Sequence, residues 1–181
     1  MLRAVVISPF SRSTEGVAPE ADLPVTCRAA ETTEELAIHF AIREAVFVTE
    51  QGFFEGSDRD GHDEDPATVH VLGLCGRVAG GAVRLYPLDE DRLWKGDRLA
   101  VLAEFRKRGI GTPLVRFAVQ TARDRGGRLM IAHIQLQNVE YFCRLGWHAV
   151  GEPDEFVGRT HQRMAIELGP GRLTFSRRPD G

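Results

Sequence analysis

Apolar positions along the chain fall into short runs whose spacing changes several times, and each change marks an element. Val25 to Ala29 (VTCRA) alternates with the period of a half-buried strand. Thr32 or Thr33 with Glu35 just behind has the form of a helix start, and the helix is predicted to run to about Val48. Leu36, Phe40 and Phe47 fall near one face and Ile38, Ile42 and Val46 follow at spacings of four, a stripe wide enough to pack on a sheet. From Gln51 to Ala67 the pattern gives way to Gly, Asp, His and Pro, which predicts a long exposed loop. Two β-branched runs come next, Val69 to Cys75 and Val78 to Tyr86, and the Gly76-Arg77 pair between them suits a tight hairpin. Asp91 to Val101 predicts a further strand.

The second half begins with RKRGIG (106–111), which leads into Thr112 as N-cap and Pro113 as first helical residue; the amphipathic run that follows ends at Gly126-Gly127. Leu129 to Ile134 is apolar at nearly every position, as in a strand covered on both faces. A short helix around Asn138 to Leu145 and closing strands over Trp147 to Val150 and His161 to Leu168 complete the pattern. Residues 1–24 contain one candidate strand, Ala4 to Ile7, in a Ser/Pro/Glu/Gly-rich extension without apolar period, and residues 169–181 read as a frayed tail. That leaves one domain over residues 25–168.

Composition narrows the function classes. The 181 residues are 43% hydrophobic and 27% charged, a globular balance, and 23 basic against 26 acidic residues give a net charge of −3. A nucleic-acid binder would carry a strong positive excess, so no nucleic-acid role is expected. No apolar stretch is long enough to span a bilayer and the N-terminal run is broken by Ser8-Pro9, which argues against a membrane association. Cys27, Cys75 and Cys143 are odd in number and widely spaced in apolar contexts, as buried thiols of a cytoplasmic protein would be.

The segment LAVLAEFRKRGIGTPL (99–114) joins a strand to a helix through glycines and three consecutive basic residues. Helix N-termini expose unpaired N–H groups with partial positive charge, and glycine lets the backbone approach a phosphate closely, so the loop suits an anion, with a polyphosphate as the natural ligand. Neither the Lys-Ser/Thr of a Walker loop nor the third glycine of a dinucleotide fingerprint is present.

Arg106-x-x-Gly109-x-Gly111 after LAVLAEF resembles the acyl-CoA loop of the GCN5-related N-acetyltransferases (GNAT). Asn138, Phe142 and Leu145-Gly146-Trp147 resemble that family's Asn-to-aromatic-to-Gly-Phe segment. FVTEQG (47–52) and Gly158-x-x-His161-x-x-Met164 are similar to the ElaA-like bacterial subgroup, and AHIQLQNVEYFCRLGW (132–147) looks closest to a subset associated with nitrilase gene clusters. The resemblance implies an α/β fold with a mixed, mostly antiparallel central sheet flanked by helices and splayed near Val101 and Leu129. It also implies acetyl-CoA as co-substrate, without a metal, and an acetyl transfer to a small primary amine by direct attack in a ternary complex. Leu99, Ala100 and Val101 would pair with the pantetheine arm, and the backbone of Lys107, Arg108, Gly109, Ile110, Gly111 and Thr112 would take the diphosphate, with Arg106 or Lys107 near the outer phosphates. Asn138 and Phe142 would flank the thiol end. Dimers are common among members of the family.

Departures from the pattern lie at the chemistry. Many relatives have tyrosine four residues before the glycine of Gly-Phe as general acid, where this chain has Phe142; Tyr141 is one place earlier and, on a helix, about 100 degrees away. A non-catalytic acyl-CoA-binding or partner-regulating module is therefore the rival expectation. His133 is the leading titratable candidate, since an imidazole suits proton transfer at neutral pH, and a hydrogen-bonded core histidine is the plainer alternative. Glu50, at the end of the first helix, either orients an amine or acts as base through water, or is a simple helix-end carboxylate. Cys143 reads as core, Glu104 as surface, and His161 as substrate-facing or paired with a carboxylate. Glu55, Asp58, Asp60, Asp63, Glu64 and Asp65 against Arg59 give the long loop a net charge of −5, which either draws a cationic amine or serves solubility alone. Asp58-x-Asp60-Gly61-x-Asp63 hints at calcium but lacks the twelfth-position glutamate of an EF-hand.

Overall fold

A computed structural model describes residues 23–88, 92–156 and 158–169, so the candidate strand at Ala4 to Ile7 and the tail beyond Gly169 lie outside the described residues. Strands β1 (Val25–Ala29), β2 (Val69–Cys75), β3 (Val78–Pro87), β4 (Leu93–Val101), β5 (Leu129–Gln135), β6 (His148–Ala149), β7 (Asp154–Phe156) and β8 (Arg159–Glu167) form one sheet in the order β1-β2-β3-β4-β5-β8-β6, with β7 also paired to β8. Neighbours are antiparallel except β4 and β5, which run parallel.

That parallel pair is short. Its register covers Leu93↔Leu129 to Lys95↔Ile131, and beyond these residues the strands part. The parting starts after Lys95 and Ile131, so Leu129 belongs to the paired end and not, as expected, to the splay. A bulge on β4 accompanies it: Ala82↔Ala100 is followed by Arg84↔Asp97, and Arg98 takes φ 52. An extra residue bends its strand and increases the twist, which turns β4 away from β5.

Helices cover both faces. Helix α1 (Thr33–Arg43) starts with a capping box in which Thr32 accepts from the Glu35 backbone and Glu35 accepts in return from the backbone N–H of the cap. The helical path continues through Glu44–Glu50 in π geometry, closed by Gln51 N–H to Val46 O at 2.9 Å, two residues beyond the predicted end. Ile38, Ile42, Val46 and Phe47 bury against Leu72, Leu74, Ala82 and Ala100. On the other face α2 (Gly111–Asp124) places Leu114, Val115, Ala118 and Ala122 on Val71, Val83, Trp94 and Met130. Gly81 permits that approach, because a Cβ there would stand 2.7 Å from Ile110 and Leu114.

Several expectations are corrected by packing. α2 begins at Gly111 with Ile110 as N-cap, not Thr112, whose hydroxyl is engaged by Tyr141 instead. Pro113 still lies in the first turn, where its missing N–H costs nothing. A 3-10 turn, Ala103–Arg108, separates β4 from α2 and ends at Gly109 with φ 72. β5 is covered on one face only: Met130, Ala132 and Ile134 are buried, while Ile131, His133 and Gln135 on the opposite face are half-buried. The short, polar β7 has no apolar pattern to read, and it is held by pairing with β8. Of the thiols Cys75 is buried, Cys27 is half-buried with its pKa pushed up to about 11 by burial, and Cys143, expected in the core, is exposed.

The acidic loop is the largest departure. Most of it is exposed, as predicted, but it is anchored: three arginines from the sheet and α1 hold it against the domain. Arg43, fully buried, donates from Nε to Asp58 at 2.8 Å and from Nη1 to Asp63 at 2.6 Å. Arg84, also fully buried, reaches Asp60 at 2.6 Å and Asp97 at 2.8 Å. Arg98 donates to the Asp58 carbonyl and to Asp60, each at 3.1 Å. The carboxylates of the suspected calcium spacing are thus occupied by guanidinium groups, and half of the loop's acids are neutralised. Glu55, Glu64 and Asp65 remain outside this network. The loop offers a cationic amine far less field than its composition suggests.

Candidate active site

Where β4 and β5 part, a cleft of about 770 Å³ runs from the splay to the first turn of α2. Leu99 and Val101 form one wall and Gln135 and Asn138 the other. Between Gly96 and Val101 the backbone of β4 has no partner strand on its β5 side, an open edge of the kind an extended ligand joins as an added strand. At the far end the first N–H groups of α2 have no intrahelical acceptor. Gly109, Gly111 and Thr112 line this end, with Arg106 beside them. Tyr141 closes it: its hydroxyl lies 3.0 Å from Thr112 Oγ1, and a Cβ on Gly111 would approach it to 3.2 Å.

Most residues of the expected acyl-CoA loop therefore converge on one cleft, and four present their side chains elsewhere. Ala100 points to the α1 face and is 1% exposed, and Ile110 is fully buried in the core. Arg108 turns back to donate to Cys75 Sγ at 2.9 Å, and Lys107 is exposed outside the cleft lining.

The cleft continues inward. At Leu99, Gln135, Asn138 and Phe142 it meets a second cavity of about 140 Å³ that occupies the gap between the parted strands. On the α2 side this cavity is lined by Val115, Ala118, Met130 and Ala132, and on the other side by Phe47, Phe53, Phe54 and Phe156 with His133 and His161. Phe142 stands at the junction with its ring 5.6 Å from Trp147, edge to face, and brings no hydroxyl there. Tyr141, about 100 degrees round the helix, serves the Thr112 end instead.

Lys95, Asp97, Arg98, His133, Gln135, Asn138 and His161 are the polar residues among the lining of the inner cavity. His133 stacks on Phe156 with centroids 4.3 Å apart, and its buried Nδ1 has no hydrogen-bond partner. Burial, and after it the positive charge of Lys95, lowers the pKa of His133, so the ring is neutral at pH 7. His161, buried at 7% exposure, pairs its Nδ1 with the Arg159 carbonyl at 2.9 Å rather than with a carboxylate. Glu50 lines the outer cleft, not the inner cavity, and both its oxygens are taken by Arg106 Nη2 at 2.6 and 2.7 Å. Asp97 lines the inner cavity with its carboxylate bound to Arg84.

Sequence reasoning missed Tyr141 as a cleft residue and the two phenylalanines Phe53 and Phe54. The latter had a signal: a pair of aromatic residues in a stretch otherwise dominated by polar residues and glycine has a reason to be buried.

Comparisons with known proteins agree with this geometry. The uncharacterised N-acetyltransferase YjcF of Bacillus subtilis is 28% identical over 137 residues, 75% of this chain and 94% of its own. Escherichia coli ElaA is similar in structure, with a TM-score of 0.68 at 22% identity over 79% of this chain and 98% of its own. An acyl-CoA N-acyltransferase from Pseudomonas aeruginosa gives a TM-score of 0.68 at 25% identity, covering 80% of this chain and 99% of that one. The model of the acetyltransferase (GNAT) family matches residues 33–147, from the start of α1 to Trp147 behind the inner cavity, and the chain belongs to that family.

Proposed function

We propose that the protein transfers an acetyl group from acetyl-CoA to a small primary amine, by direct attack within a ternary complex. One observation carries this reading: the open edge of β4, the free N–H groups of α2 and the His133 side chain all line one continuous space. The pantetheine arm would lie along Leu99 and Val101, and the diphosphate would take the N–H groups between Gly109 and Thr112, near Arg106. The thioester then falls at the junction of the two cavities, beside Asn138 and Phe142.

From the aromatic side of the inner cavity the amine nitrogen attacks the thioester carbonyl carbon. The C–N bond forms, the C–S bond breaks, and the electron pair of that bond leaves on sulfur. His133 accepts the proton that the nitrogen loses, which its lowered pKa suits by keeping the acceptor form populated at pH 7. The thiolate is weakly basic and takes its proton from water, because Phe142 offers none.

Thiol release from acetyl-CoA, followed with a panel of amino acids, polyamines, aminoglycosides and short peptides, tests the reading. Calorimetric binding of CoA on the same preparation completes it. Amine-dependent release is expected. The absent hydroxyl at Phe142 favours a second reading, an acyl-CoA-binding module, which predicts CoA binding and no release with any amine.

A further inference from the structure

We infer that the site accepts acyl groups longer than acetyl as well as acetyl itself. The inference rests on the acyl-CoA reading and concerns the α2 side of the inner cavity. A space of about 140 Å³ opens directly from the junction where the thioester would lie. An engineered apolar cavity of about 150 Å³ is filled by benzene, a six-carbon ring. The acceptor amine takes up the aromatic side of this space, and the single methyl of an acetyl group would leave the aliphatic side short of packing partners.

The two sides of the cavity divide by chemistry. Val115 and Ala118 of α2 and Met130 and Ala132 of β5 line the α2 side with apolar side chains, whereas His133 and His161 lie on the opposite side with the phenylalanines. An acceptor amine has polar groups to satisfy and belongs with the histidines; a hydrocarbon chain has none and belongs with the aliphatic residues. Small side chains hold the recess open. Ala118 on α2 and Ala132 on β5 leave room that longer side chains would fill.

Unreactive S-alkyl thioethers of CoA test the inference without knowledge of the acceptor. Calorimetric affinities of S-ethyl-, S-butyl-, S-hexyl- and S-decyl-CoA are compared with that of CoA. Each methylene buried in the recess is expected to strengthen binding about fourfold, so affinity peaks at S-butyl or S-hexyl and falls at S-decyl. In Ala118→Leu the ratio of S-hexyl to S-ethyl affinity drops about tenfold or more; Ala132→Val serves the same comparison if that variant fails to fold. Normal CoA binding with the tightest alkyl compound at S-ethyl, or with equal affinities throughout, overturns the chain-length inference and leaves the acyl-CoA reading standing. Absence of CoA binding overturns both.

Discussion

Arg106 and Glu50, 56 positions apart in sequence, meet across the outer cleft at 2.6 and 2.7 Å. The guanidinium that the acyl-CoA reading places near a phosphate is thus held by a helix-end carboxylate. The pair is nearly half exposed, so its own stability contribution is small. Its consequence is competition. In Glu50→Gln the guanidinium is released to the diphosphate, and CoA should bind up to about fivefold tighter with an unchanged pH profile of turnover. Weaker turnover with a lost acidic limb would instead make Glu50 the base.

Gly109 takes φ 72 at the end of the 3-10 turn, and no atom lies within 4 Å of the position its Cβ would occupy. Gly109→Asn should fold and bind CoA nearly as well, because asparagine tolerates the left-handed region. Gly109→Glu adds both strain and a negative charge beside the diphosphate. Calorimetry is expected to show CoA affinity reduced at least ~100-fold, because charge-assisted hydrogen bonds from the loop to the phosphates are broken or opposed.

His133 is half-buried beside Phe156 with a buried, unpartnered Nδ1, and its pKa is lowered by burial first and Lys95 second. As a base it acts in the neutral form, so turnover should rise with pH through an apparent pKa below the ordinary ~6.5 of histidine. His133→Gln is expected to lower kcat by about 10² to 10⁴ and to remove that limb while CoA binding persists. A retained limb would assign the proton to another group.

Asp63 joins Arg43 to Arg84 and receives a bond from the Asp60 backbone. Burial opposes its charge, but the Arg43 hydrogen bonds and the Asp60 N–H outweigh it and hold its carboxyl well below the usual range. Asp63→Ala leaves two buried guanidinium groups short of a partner and should cost about 3–5 kcal/mol in urea unfolding. Since the folded pKa is depressed, the stability that Asp63 contributes is complete above the unfolded value near ~3.9 and is lost as pH falls from there through the folded value. Denaturant midpoints measured from pH 6 down to pH 2 should fall less steeply in the variant than in the wild type.

Local chemistry made much of this protein legible in one dimension. Strand alternation in Val25–Ala29, the Gly76-Arg77 hairpin, the Thr32 capping box and the glycine loop before α2 all depend on neighbours in sequence, and each is present within a residue or two of its predicted place. The family followed from the same short-range signals. What the tertiary structure alone decided is which groups face each other across the gap between β4 and β5. Asp58, Asp60 and Asp63 read as a charged loop because their partners, Arg43, Arg84 and Arg98, arrive from α1, β3 and β4. Glu50 and Arg106 meet for the same reason. The size of the inner cavity depends on the splay itself, which arises where a bulge turns one strand away from a parallel neighbour, and no local pattern records how far two distant strands diverge.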